Sequence, residues 1–145
     1  MEHDQKLAIE LQDFEREKDR RIDNVEHRAT LCSYDFWQLQ SQRRRQEMVD
    51  PVLAAYLRAK LIHAKIVSKP EARRSFVTGD SAVICRIDNQ LPRCLHLYHW
   101  TPPIWHCAVS TGNWLGATLI GMAQGQVANG IEVIHTNVNE LLRFQ

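Results

Sequence analysis

The stretch Met48-Val-Asp-Pro-Val52-Leu-Ala-Ala55-Tyr-Leu-Arg-Ala59-Lys-Leu-Ile62-His-Ala-Lys-Ile66 decides the fold. Met48, Val52, Ala55, Ala59, Ile62 and Ile66 recur at intervals of 4, 3, 4, 3 and 4, the apolar seam of an antiparallel helix pair. Leu53, Tyr56 and Leu61 widen the stripe, as expected of a helix that also packs on a second body. Upstream, Leu7, Leu11, Phe14, Ile22 and Val25 supply a less regular seam, with Glu15, Arg16, Glu17, Asp19 and Arg20 facing outward. The nearest partner for each helix is the other. The sequence therefore predicts a hairpin over residues 1–68 that turns around Ala29 to Asp35, where Thr30, Ser33 and Asp35 can cap orphan amides. At 1.5 Å per residue the first helix would be about 40 Å long. A proline inside a helix costs roughly 3 kcal/mol, so Pro51 predicts a kink or a restart with Asp50 as cap.

Outward from that stretch the composition changes. Up to Val67 there is no glycine and one proline; beyond it there are six glycines and four prolines. Lys69-Pro70 falls just past the shift, where a proline ends a helix. From Phe76 the period becomes that of strands. Ser81 to Ile87, Cys94 to Trp100, Trp105 to Val109 and Ile131 to Val138 read as strands, with Asp88-Asn-Gln a turn. Asn113 to Met122 reads as a short helix capped by Asn113 and ended by Gly121. The expected class is α+β: an N-terminal antiparallel two-helix coiled coil, then a domain over residues 74–145. That domain should hold four or five mostly antiparallel strands against one short helix.

Bulk properties narrow the function. The chain has 145 residues, 44% apolar and 24% charged, with a formal net charge of +1 from 18 basic and 17 acidic side chains. That balance argues against wholesale nucleic-acid wrapping, which needs concentrated positive charge. No stretch approaches the roughly 20 apolar residues of a membrane span. The polar start, Met1 to Glu10, lacks a signal-peptide core, and the four cysteines show no CxxC pairing, so a reducing cytoplasm is expected.

Several residues could carry chemistry. Cys94, His96, His99, His106 and Cys107 are all possible zinc ligands, but their spacing lacks a paired knuckle, and sheet positions explain them better. A Cys32–His27 nucleophile pair on a thin hairpin would have no pocket to exclude water. Gly112, Gly116, Gly121, Gly125 and Gly130 lack the Gly-Lys-Ser/Thr of a phosphate loop, so they read as turn and packing glycines. Tyr34, Phe36 and Trp37 gather near the expected turn, with Ser33 and Asp35 between them. They are either binding anchors or plugs of the seam. Arg43, Arg44 and Arg45 give the second helix a basic side, suited to an acidic partner, to indirect nucleic-acid contact, or simply to water.

With these residues laid out, the chain resembles the bacterial Gre transcript-cleavage factors. Ala59-Lys-Leu-Ile-His-Ala-Lys-Ile-Val67 is similar to the end of that family's second hairpin helix. Phe76-Val-Thr-Gly-Asp-Ser-Ala-Val is similar to the lead into its first strand. Asn113-Trp-Leu-Gly-Ala-Thr-Leu-Ile-Gly121 is similar to its short helix. Order and spacing agree over about residues 55–138.

The resemblance implies a coiled coil followed by an FKBP-like domain that docks at the rim of the RNA polymerase secondary channel while the hairpin reaches inside. The region of Asn113, Trp114, Leu115, Gly116 and Thr118 would then lie near the docking surface. Cleaving members carry two acids at the tip that help hold a magnesium ion beside the polymerase's own, so the factor itself is not the enzyme. Aligned that way, the family's acids fall on Ser33 and Phe36. That leaves Asp35 as the one nearby carboxylate that could share Mg2+ with the polymerase. The expectation is a channel-binding modulator with weak or absent cleavage stimulation. The alternatives are an FKBP-like peptidyl-prolyl isomerase, with Tyr98 and Trp105 lining a pocket, or an interaction adaptor.

Overall fold

The computed structural model describes residues 28–101 and 107–138. The seam from Leu7 to Val25, His27, Trp105 and His106 lie outside the described residues, as do the expectations built on them.

The described chain opens with a short strand, β1 (Thr30–Cys32), followed by helices α1 (Ser33–Val49) and α2 (Pro51–His63) and strand β2 (Lys65–Val67). Asp50 ends one helix and starts the next. Its backbone is non-helical (φ −143°, ψ 88°), its side chain accepts a hydrogen bond from Leu53 N at 3.2 Å, and Pro51 occupies the first position of α2. This is the restart expected at Pro51, but it is a full reversal rather than a kink. β1 and β2 pair in parallel, Thr30 beside Lys65 and Cys32 beside Val67, so the start of α1 and the end of α2 lie side by side. The helical pair is therefore α1 and α2, and it turns at Asp50.

This corrects the expected turn at Ala29 to Asp35, which instead forms the open end of the hairpin. The physical reason is the proline. A seam read from Met48 through Val52 assumes one continuous helix, whereas the missing N–H of Pro51 and the Asp50 cap break it. Of the six seam positions Met48, Val52, Ile62 and Ile66 are exposed, whereas Ala55 and Ala59 are buried together with Leu53, Leu57 and Leu61. At 1.5 Å per residue the 17 residues of α1 span about 25 Å.

Helix α3 (Lys69–Ser75), capped by Ser68, leads into the sheet domain with Pro70 in its first turn. Strands β3 (Ser81–Ile87), β4 (Arg93–Tyr98), β5 (Ala108–Ser110), β6 (Val127–Ala128) and β7 (Ile131–His135) form one sheet in the order β5-β4-β3-β7-β6. All neighbours are antiparallel except β4 and β5, which run parallel. Asn129 and Gly130 (φ 51° and 76°) make the two-residue turn between β6 and β7, a conformation that asparagine and glycine tolerate best. Helix α4 (Trp114–Leu119) follows β5, and Asn113 caps it through Leu115 N at 2.9 Å.

One apolar cluster holds the described chain together. Leu31, Leu39, Leu53, Leu57 and Leu61 from the hairpin pack with Val83, Leu97, Leu119, Ile120 and Val133 from the sheet domain. Each buried leucine is worth about 1.5–3 kcal/mol. The hairpin is thus seated on the sheet domain through a shared core. No helix among the described residues is long and apolar enough to cross a membrane.

Candidate functional site

The most organised polar cluster sits at the open end of the hairpin. Asp35, in the first turn of α1, is 2% exposed, and His99, just past β4, is 5% exposed. His99 Nε2 lies 2.7 Å from Asp35 Oδ1, and its Nδ1 lies 3.3 Å from Thr111 Oγ1. The Gly79 amide donates to both Asp35 oxygens at 3.3 Å. Gln42 Nε2 donates to the His99 carbonyl at 2.5 Å, and Gln46 Nε2 donates to Gln42 Oε1 at 3.2 Å. Gly79 has no side chain because none fits: an added Cβ would press on the His99 ring and lie 2.9 Å from Asp35 Oδ1.

Carboxylate, imidazole and hydroxyl stand in the order of a hydrolytic triad, yet Thr111 is wholly buried, and no substrate carbonyl can reach its oxygen. The cluster satisfies buried polar groups and locks the hairpin to the sheet. It also corrects the expectation that Asp35 reaches a partner's magnesium ion. Both carboxylate oxygens are already engaged, and the side chain is sealed from solvent.

Burial pushes the neighbouring Cys32 thiol above its ordinary range, and the Asp35 carboxylate adds in the same direction. Burial likewise pushes up Cys85. Cys94 and Cys107 are exposed free thiols, and the His96 ring stacks on Tyr98 with centroids 4.7 Å apart. Among the described residues, no three of His, Cys, Asp and Glu converge on a metal position.

A second connection fixes the region expected to dock. Lys60 of α2 is buried and donates through Nζ to the carbonyls of Ala117 (2.5 Å) and Thr118 (2.9 Å) at the end of α4. Such a cation suits the negative end of a helix. Tyr56 packs on Trp114 with centroids 5.3 Å apart, and Thr118 Oγ1 donates to Trp114 O at 2.8 Å. A side chain at Gly116 would collide with the Ser110 carbonyl, so glycine allows α4 to lie close on β5. Trp114 stays 41% exposed and Asn113 is exposed; Leu115 is half-buried, and Gly116 and Thr118 are buried.

The residues expected to contact a partner divide between two sides of α1. Asp35 is buried and Phe36 half-buried, while Ser33, Tyr34 and Trp37 are exposed. Arg44 and Arg45 are exposed, and Arg43 pairs with Glu47 one turn on. The true turn, Met48 to Pro51, held no place among the candidates, nor did Gln42, Lys60, Gly79 or Thr111. The signal for Gln42 was present: Asp35, Leu39, Gln42 and Gln46 recur at 4, 3 and 4 and are the buried residues of α1. A search for apolar residues passes over it.

A helical hairpin set on a mixed five-stranded sheet defines an α+β protein of Gre-like fold. A solved structure titled prokaryotic transcription elongation factor GreA/GreB, from Nitrosomonas europaea, shares that fold: TM-score 0.58 and 24% identity over 68% of this chain and 82% of that one. No protein-family model and no curated protein matches the chain.

Proposed function

We propose that this chain is a Gre-like transcription factor that binds RNA polymerase and modulates transcription at the secondary channel with little or no stimulation of transcript cleavage. The observation that carries the reading is the architecture shared with a structure titled as a transcription elongation factor. The hairpin supports the second half of the proposal. Cleavage stimulation calls for two carboxylates free to hold an ion at the far end of the hairpin. Here the turn offers Met48 and Val49 to solvent, while Glu47 pairs with Arg43 and Asp50 caps α2. A hairpin of about 25 Å, welded at its base, acts at the mouth of the channel.

The test is binding of the full chain to core RNA polymerase in competition with a known channel-occupying protein, together with a cleavage assay on stalled complexes. Saturable, competitive binding without transcript shortening is expected. Failure to bind core polymerase overturns the proposal, and magnesium-dependent shortening overturns its second half.

A further inference from the structure

We propose that the solvent-facing side of α1 is a docking surface for another protein, one that presents an apolar helix face flanked by acidic side chains. Asp35, Leu39, Gln42 and Gln46 mark the buried side of the helix. Directly opposite, Tyr34, Trp37, Ser41, Arg44 and Met48 recur at intervals of 3, 4, 3 and 4, with Arg45 alongside. All six are exposed; Tyr34 is 52%, Trp37 60% and Met48 90% accessible. The stripe is about 21 Å long at 1.5 Å per residue.

Its composition is not that of an ordinary solvated helix face. Tyrosine, tryptophan, arginine and methionine are the side chains that interfaces enrich. The stripe carries no acid, and the one nearby carboxylate on its flank, Glu47, is taken by Arg43. Among the described residues no carboxylate pairs with Arg44 or Arg45, the two guanidinium groups that stand between Trp37 and Met48 on this face. Bidentate carboxylates are the natural complement of such groups. The face is also held ready: the opposite side of the helix is pinned by Asp35 and Gln42, and the Trp37 ring stands edge-on to Phe36 at 5.5 Å. A rigid face loses little entropy on binding.

Two other ligands fit worse. A nucleic-acid backbone carries a charge every few ångströms and calls for more than two cations over this length. A membrane surface selects helices with the cations at the edge of a broad apolar face, whereas here they interrupt a narrow one. The inference concerns the chemistry of this helix face and stands apart from the polymerase reading.

The probe is a fluorescein-labelled amphipathic helical peptide with leucines at helical spacing flanked by glutamates, titrated into the full chain. Anisotropy gives the affinity, and amide chemical shifts map the site. The shifts should centre on α1, and Trp37→Ala or the double reversal R44E/R45E should weaken binding roughly tenfold. The same charge change on α3, R73E/R74E, should alter it by less than about twofold. Being exposed, these side chains can be changed without unfolding the chain, and should R44E/R45E unfold it, Trp37→Ala alone decides. The proposal is overturned if R73E/R74E is as harmful as R44E/R45E, or if the shifts centre on the sheet. Tighter binding of a thymidine oligonucleotide or an anionic vesicle by the same face overturns it too.

Discussion

The two ends of the hairpin are built from opposite materials. At the open end, every side-chain polar atom of Asp35 and His99 has a partner, and Leu31 and Asp35 are sealed beneath the sheet domain. At the turn, Met48, Val49 and Val52 stand 90%, 70% and 43% exposed, and one side-chain cap, Asp50 to Leu53 N, holds the reversal. One end spends its side chains on stability, and the other leaves them free for contact. A short helical pair can do both because its base shares the core of the sheet domain, leaving the turn little structural work.

That contrast predicts a steep fall in mutational cost from base to turn. The largest effect should come from Asp35→Ala, which strands the His99 ring and the Gly79 amide in a buried site. Each buried group left without its partner costs about 1–3 kcal/mol. Urea unfolding should show a lower midpoint with an unchanged slope. A loss below about 1 kcal/mol, within the range of a single ordinary hydrogen bond, would break the comparison. Next is Lys60→Met, which leaves the Ala117 and Thr118 carbonyls without their ammonium donor while preserving the aliphatic stem. The expected cost is about 1–3 kcal/mol, with amide exchange quickening first in α4.

Much of this fold is legible in the residues, and the rest is hidden for two reasons. The strand from Ser81 to Ile87 is found with the bounds expected of it. Asn113 and Asp50 cap as their side-chain chemistry dictates. The 4-3 repeat from Met48 to Ile66 is continuous in sequence although Pro51 cuts it in space, so the repeat alone points to the wrong turn. The seam that packs α1 onto the sheet domain is carried by Asp35, Gln42 and Gln46, which hydropathy assigns to solvent. Their burial depends on partners far along the chain, His99 and Gly79, and on a cavity shape that no local pattern encodes. By sequence pattern alone the base of the hairpin, aromatics included, reads as its tip.

Smaller effects should mark the turn. Asp50→Ala removes the cap of α2 and should cost about 1 kcal/mol. Because Pro51 still fixes the first helical residue, the reversal itself should survive, and exchange should quicken only around Leu53. Met48→Ser, at the most exposed of the large apolar positions, should move stability by no more than about 0.5 kcal/mol. A larger loss would mean that the turn is packed after all, and the division between the two ends would fail.

The smallest effect at neutral pH, and the one most selective for the base, concerns Cys32. Burial and the nearby Asp35 carboxylate raise its folded-state pKa, whereas in the unfolded chain the thiol titrates near its ordinary value of about 8.5. Below that value both states keep the proton, and stability owes nothing to it. As pH climbs past it, the unfolded chain releases the proton first, and the folded state loses ground until its own raised pKa is passed. Stability should therefore decline through the alkaline range, and Cys32→Ser should flatten that part of the decline. Hydrogen exchange should locate the loosening at β1 and β2, next to Cys32, before it reaches the turn, where no thiol sits. If alkali frays Met48 to Pro51 first, the base is not where the stabilising interactions are concentrated.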